Sequence, residues 1–515
     1  RCLGRMKKIV VVGGGSAGTM SAYTLKKLFP EKEIVLLESE DIPSVGVGES
    51  TLAEFNQWLA MVDLKDEQWM KHCNASYKMS VKFNDFYRNN DGGFHYPFGY
   101  PSTENLNDWY MKKMLYPETP VTDYAESHYS IMALINKNKI LTDKQNEEVG
   151  LPNYSFKKDV AYHFDAVMFA NWLREEFKKL GGIHITGTVH KVMMTDEAIL
   201  SVFTETESIG GDLFLDCTGF KSVLLREKLK EPFVSFEDIL PNNSAWAAQI
   251  PYIDQEKEML PYTDCTALSS GWVWKVSLWN RMGSGYVYSD KFLDDEKALE
   301  EFKKHTGKPE LKYRNIKFRT GRVKRAFVRN VVAIGLSAGF VEPLESNGLL
   351  SVHRNLFNLV RLLKRGRITN YLKDQYNLAT SRFFEQFAEF VASHFALSER
   401  MDSHYWRAVQ NRHYHFADDV QQVNSLFQKN NFWVYDNYQY PHSGGMHCIA
   451  AGMNFIPFDD NTARYNYYAN DVEEFLDGRK GHINTLIDQR NSWRKMVDGN
   501  NIPTLYNYLK ENIYG

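Results

Sequence analysis

"KKIVVVGGGSAGTMSAYTLKKLF", residues 7–29, reads as a strand, a glycine turn and a helix. Ile9 to Val12 form a β-branched run, Gly13-Gly14-Gly15-Ser16-Ala17-Gly18 follow, and apolar residues then recur at helical spacing through Leu28. The glycines have separate physical tasks. Gly13 permits the tight turn, Gly15 lets a pyrophosphate approach the backbone, and Gly18 lets the helix pack on the strand. Ser16 and Ala17 open the helix, whose first amides would face the phosphates. A second apolar strand, "EIVLLE", ends in Glu38, at the distance expected of an acid that holds a ribose hydroxyl pair. This fingerprint alone leaves FAD and NAD open.

Two later stretches extend the same sheet. In "GDLFLDCTGFKS", residues 211–222, an apolar strand ends at Asp216 and breaks at Thr218-Gly219. In "RNVVAIGLSAGFVEPLE", residues 329–345, another buried strand delivers its end into a loop. Several strands ending in glycine turns suit a large ligand laid across the carboxyl edge of one sheet. No second nucleotide fingerprint is visible, so the expected cofactor is FAD, reduced elsewhere.

The whole chain sets bounds on function. Its 515 residues are 43% hydrophobic and 14% aromatic, enough for two or more packed modules. Net charge is −3, from 61 basic and 64 acidic side chains without long runs of either sign, which disfavours a nucleic acid or an anionic membrane as partner. Cys2, Cys73, Cys217, Cys265 and Cys448 are scattered, with no C-x-x-C, so neither a disulfide framework nor a zinc site follows and no metal is expected. No apolar run reaches the ~18 residues needed to span a bilayer. "RCLGR" before Met6 lacks an h-region, and a cytoplasmic location is expected. Helical periods dominate residues 371–397 and 471–497. The expected organisation is an FAD-binding module over 6–110 and 155–370, with a mostly helical substrate-side module over 111–154 and 371–515.

Seven stretches carry a more specific likeness: "SVGVGEST" (44–51), "NASYKMSVKF" (74–83), "AYHFDA" (161–166), "DLFLDCTGF" (212–220), "GWVWKV" (271–276), "GFVEPLESNG" (339–348) and "ASHFALSERMDSHYWRA" (392–408). In this order they resemble the flavin-dependent halogenases of the tryptophan-halogenase type over most of the chain. The resemblance implies an α/β fold, with a Rossmann-like module of the flavin monooxygenase type capped by helices. Flavin hydroxylases usually carry Gly-Asp-Ala after the late strand, whereas Gly335-Leu336-Ser337-Ala338 stand here, as in halogenases. The family's W-x-W-x-I-P is altered in its last two positions, reading Trp272-Val273-Trp274-Lys275-Val276-Ser277.

The resemblance implies that FADH2, O2 and a halide ion together yield hypohalous acid. It assigns halogen delivery to Lys78, whose amine desolvation would make neutral and reactive. Glu345 would orient the halogen donor or take the proton lost by the arene; the plainer reading is a carboxylate facing a helix dipole, which also suits Glu342. The amides of Asn347 and Gly348 would hold the halide, as consecutive N–H groups at a helix start can. Trp272 and Trp274 fall on one face of a strand and are read as site-lining, with core packing as the alternative. Val47, Gly48 and Glu49 match the strap that contacts flavin, and Val189, Gly335 and Leu349 are further expected cofactor contacts. The family's H-x-F-G element appears as "FHYPFGY": Phe98 and Gly99 match, Tyr96 takes the histidine's place, and His95 comes one position early. Tyr96 and Phe98 are expected to line the substrate site, with Trp433 and Tyr435 as further pocket candidates. The implied partners are a separate NAD(P)H-dependent flavin reductase, a small indole-like or phenol-like aromatic and a second copy of the chain in a homo-oligomer. The alternatives are a flavin-dependent aromatic hydroxylase and a non-catalytic flavoprotein of the same fold.

Overall fold

A computed structural model describes residues 6–39, 48–90, 92–102, 109, 112–113, 116–410, 443–454 and 472–515. The opening fingerprint builds the centre of a six-stranded sheet. Its order is Phe327–Val328, Val331–Ala333, Leu213–Asp216, Lys8–Val12, Glu33–Glu38, Ile183–Thr186. All neighbours are parallel except the first pair. Residues 9–12, 34–37 and 213–215 are buried, as strands covered on both faces require. Each such Val, Ile or Leu contributes about 1.5–3 kcal/mol of burial.

Parallel register brings the strand ends to one edge. Val12 lies opposite both Leu37 and Asp216, and Asp216 lies opposite Ala333. The chain leaves this edge through Gly13, Glu38, Cys217 and Ile334, so the segments marked in the sequence as cofactor-facing share one rim. Asp216 is consumed by the fold: its carboxylate accepts from the amides of Thr218, Leu224 and Leu225 and from Ser337 Oγ.

A seven-stranded sheet runs in the order Arg314–Lys317, Ser244–Ile250, Met282–Tyr288, Gly271–Ser277, Tyr262–Leu268, Ser80–Asn84, Gly93–Pro97. A three-stranded sheet joins the two regions. It is Glu49–Ser50, Ala161–Phe164 and Ser76–Lys78, with the middle strand antiparallel to both others. Three separate family-like stretches of sequence therefore form one sheet.

The remaining layer is helical, including Gly348–Lys364, Asn370–Ala396 and Val472–Asp498. Thr369 caps the second of these, and Asn377 ties it to the cofactor sheet by bonding both the N–H and C=O of Phe327. Thus the protein has a Rossmann-like flavin module with a helical cap. None of the described helices is long and apolar enough to cross a membrane.

The glycine turn offers a direct test of this packing. Gly18 has no room for a side chain, since a Cβ there would lie 1.7 Å from the Gly13 carbonyl oxygen. Gly18→Ala should cost about 1–3 kcal/mol through forced displacement of the helix from the turn. Urea unfolding with and without FAD should show a lower midpoint and a smaller stabilisation by FAD.

Candidate active site

The cofactor rim has the shape its sequence promised. Gly13 adopts φ 116°, and a Cβ there would lie 2.2 Å from the Cys217 carbonyl oxygen. Gly15, in contrast, faces open space within 4 Å, and the first turn of helix Ser16–Leu28 leaves amides without intrahelical partners. Glu38 sits beside Gly14 at the strand end, bonded to Arg174 and 3.6 Å from His184. Burial works against its charge, but His184 and Arg174 hold its carboxyl below the ordinary range. Gly335 closes the rim: a Cβ there would lie 2.8 Å from Ala17 Cβ and 3.4 Å from Val352 of helix Gly348–Lys364. Val189 follows in the loop after Ile183–Thr186, where Gly187 N–H donates to the Glu38 carbonyl. These residues fit a dinucleotide cofactor in residue type and in the space left for it.

Lys78 is fully buried, unlike an ordinary surface lysine. On its strand Tyr77 turns the other way, donating to Asp66, while Lys78 Nζ donates to Thr51 O at 2.9 Å and Ser346 Oγ at 2.8 Å. Its ammonium also stands 5.0 Å from the centre of the Phe98 ring. Burial pulls the Lys78 pKa down to about 7 against the opposing charges of Glu345 and Glu49. A hydroxyl chain continues from Ser346 through Ser50 and Thr263 to His163, every link between 2.8 and 3.0 Å.

The stretch 339–348 supplies the other half. Pro343–Glu345 make one 3-10 turn, and Ser346 at φ 57° reverses the chain into helix Gly348–Lys364. A left-handed serine is an uncommon, mildly strained choice, and here it turns Ser346 Oγ onto Lys78. Asn347 spends its side-chain amide on the Glu342 carbonyl, which leaves its backbone N–H and that of Gly348 at the open helix start. Glu49 lies directly against this turn: a Cβ on Gly348 would be 2.9 Å from its Oε1. Burial raises the Glu49 carboxyl to about 7, with Lys78 opposing. Leu349 is buried in the helix's first turn.

Glu345 is buried as completely as Lys78. Its Oε1 lies 2.6 Å from His394 Nε2, and its Oε2 has no hydrogen-bond partner among the described residues. Glu342 immediately precedes the turn Pro343–Glu345, at its N-terminal end, and is fully buried. Asn242 and the Trp272 indole approach it without closing a hydrogen bond of ordinary geometry, and burial lifts its carboxyl to about 8.

Trp272 and Trp274 share a strand face, their rings 6.3 Å apart; Trp272 is fully buried and Trp274 half-buried against Gly285. Tyr96, on the edge strand Gly93–Pro97, and Phe98, just past its end, have ring centres 6.1 Å apart, and burial, then Glu345 among other charges, pushes the Tyr96 phenol well up. His95 occupies the opposite face and pairs with Ser80 Oγ. Gly48 turns at φ 94° against Val276. Val47, Trp433 and Tyr435 lie outside the described residues. Four contacts to the Lys78–Glu345 region were not read from the sequence: Ser50 and Thr51, inside "SVGVGEST", Ser346, inside "GFVEPLESNG", and His394, inside "ASHFALSER". Their signal was their presence in stretches quoted for other reasons.

With this geometry in place, residues 8–465 match the tryptophan halogenase family model. The chain belongs to the tryptophan halogenase family. It is 36% identical over 431 residues to tryptophan 6-halogenase SttH of Streptomyces toxytricini, covering 79% of this chain and 81% of that protein. It is 32% identical over 499 residues to tryptophan 7-halogenase RebH of Lentzea aerocolonigenes, covering 88% and 91%. The solved structure of VirX1 in its apo form superposes with a TM-score of 0.90 at 35% identity, covering 99% of this chain and 100% of that one. The protein is thus a flavin-dependent halogenase that uses FADH2, oxygen and halide.

The halogenase's buried lysine makes its stability depend on pH in a defined direction. Lys78 titrates at about 7 in the folded chain, against 10.5 when unperturbed. Between those values the unfolded chain binds the extra proton, so the burial penalty is complete below the lower value and fades as pH rises towards the upper one. Urea unfolding of the flavin-free protein should show wild type gaining on Lys78→Met across this window, by at most about 1.4 kcal/mol per pH unit.

Proposed function

We propose that this halogenase modifies a small, freely diffusing aromatic substrate, indole-like or phenol-like, by electrophilic attack directed by Lys78 and Glu345. The observation that carries this reading is the joint burial of these two side chains beside the open helix start at Asn347 and Gly348. When bound, reduced FAD with oxygen and halide supplies hypohalous acid. Gly13, Gly15, Ser16, Ala17, Gly18, Glu38, Gly48, Glu49, Val189, Gly335 and Leu349 would hold the flavin from the cofactor rim and strap.

Lys78 has the right environment for delivery. A lysine that titrates at about 7 offers a neutral amine to a sizeable fraction of molecules near neutrality. That amine can hydrogen-bond hypohalous acid or carry the halogen on nitrogen, while burial keeps water from the reactive species. Glu345 Oε2 then accepts the ring proton as the arene recovers aromaticity. The balance is one hypohalous acid and one arene giving halogenated arene and water. The amides of Asn347 and Gly348 hold the halide, and Trp272, Trp274, Tyr96 and Phe98 wall the route to the substrate.

The cognate system includes a separate NAD(P)H-dependent flavin reductase, since only one nucleotide fingerprint is present. Residues 6–110 with 155–370 are read as the flavin module, and 111–154 with 371–515 as the substrate-side module. SttH and RebH differ in their ring position, 6 against 7. Regiochemistry in this chain is therefore read as a matter of pocket shape.

The test supplies FAD, a flavin reductase, NADH and oxygen with chloride, bromide or iodide, and analyses a panel of indoles and phenols by mass spectrometry. Halogenated product is expected from wild type, and losses of about a hundredfold or more from Lys78→Ala and Glu345→Gln. Hydroxylation independent of halide would overturn the reading, as would full halogenation by Lys78→Ala.

A further inference from the structure

We propose that His394 is a positioning residue that stores one proton against Glu345, making the pair electrically neutral and leaving Oε2 as its single acceptor towards the site. The proposal rests on the reading of Glu345 as the base. It concerns what makes that base compatible with a bound anion and a neutral amine nearby.

The hydrogen-bond partners fix the proton count. His394 Nδ1 lies 3.0 Å from the Phe390 carbonyl oxygen and 3.1 Å from that of Val391. Carbonyls only accept, so Nδ1 carries a hydrogen. Nε2 then faces Glu345 Oε1 at 2.6 Å. A bare nitrogen lone pair and a bare carboxylate oxygen would repel at that separation, so a second proton lies between them. Whether it resides on nitrogen or oxygen, imidazole plus carboxyl carry no net charge. Both side chains are fully buried, which removes water as an alternative source of the proton.

The imidazole is also held in place. Phe83 and Phe390 pack on it at 4.8 and 5.3 Å between ring centres, and its parent helix is anchored at the far side by Asn377. Other groups facing Glu345 come from four elements: Lys78, Cys265, Tyr96 and Cys448. Burial keeps both thiols and the phenol neutral, and Lys78 is the basic group among them. Glu49 and Glu54 act on Lys78 from the strap side.

Neutrality matters because the proposed halide amides lie only two and three residues beyond Glu345. A lone buried carboxylate there would repel a halide and hold Lys78 protonated. With His394 sharing its proton, Glu345 can present acceptor lone pairs without adding a net negative charge to the halide's surroundings.

The experiment measures steady-state halogenation by the full-length enzyme with its reductase, varying bromide at about pH 6 and about pH 8. In His394→Gln and His394→Phe the bromide KM should rise about tenfold at both pH values. A purely structural role would lower kcat or melting temperature and leave bromide KM unchanged at both values. Bromide KM within about twofold of wild type at both pH values in folded variants would overturn the proposal. Glu345→Gln separates the two readings: full turnover there sinks the base, whereas lost turnover with unaltered bromide KM in the His394 variants sinks only the stored proton. Should both His394 variants misfold, 15N-histidine spectra of wild type decide the matter. The imidazole whose signals move in Glu345→Gln must show hydrogen on Nδ1 and a shared hydrogen at Nε2, and a bare Nδ1 overturns the assignment.

Discussion

An amine deprived of water is the constraint around which this protein is organised. Lys78 reaches no solvent and offers its hydrogens to one carbonyl, Thr51, and one hydroxyl, Ser346. Burying such a charge costs several kcal/mol unless partners replace its hydration. Those partners come from chain segments about 27 and 268 residues away in sequence, so the site forms only when the three-stranded sheet and the 339–348 turn have met. The penalty left over lowers the amine's pKa towards neutrality, which is the property the proposed halogen delivery would use.

The surroundings follow from that constraint. Thr51 is clamped to Tyr162 through both backbone and side chain, which makes its carbonyl a fixed acceptor. Ser346 sits in a left-handed conformation that no helix or strand would provide. The helix Asn370–Ala396 reaches from the cofactor sheet at Asn377 to Glu345 at His394, linking the flavin module and the proposed base through one element. Gly335 does the same on the other side, allowing the rim turn to touch both the fingerprint helix and the helix that starts at Gly348.

Sequence alone made the cofactor module legible because its determinants are local. A β-branched run, three glycines with distinct steric duties and an acid at the next strand end each follow from a handful of adjacent residues. The Trp272–Trp274 pairing on one strand face was likewise readable from period two. The same periodicity, once the strand Gly93–Pro97 is placed, turns His95 away and Tyr96 inward, which its one-residue offset had left open. Glu342 stands at a helical start as its sequence context suggests, whereas its complete burial is set by packing and not by neighbouring residues.

By itself, then, the sequence determined the dinucleotide rim, the helical character of the later chain and the family to which its scattered stretches belong. Tertiary structure decided which of those stretches touch. "GVGES", "ASYKMS" and "AYHFDA" become neighbouring strands, Lys78 becomes a buried amine, and His394 meets Glu345 across 49 residues of chain. The reason is physical. Local steric and hydrophobic preferences act between near neighbours along the chain, whereas the charge state of a side chain depends on who replaces its water, and that is settled only by packing.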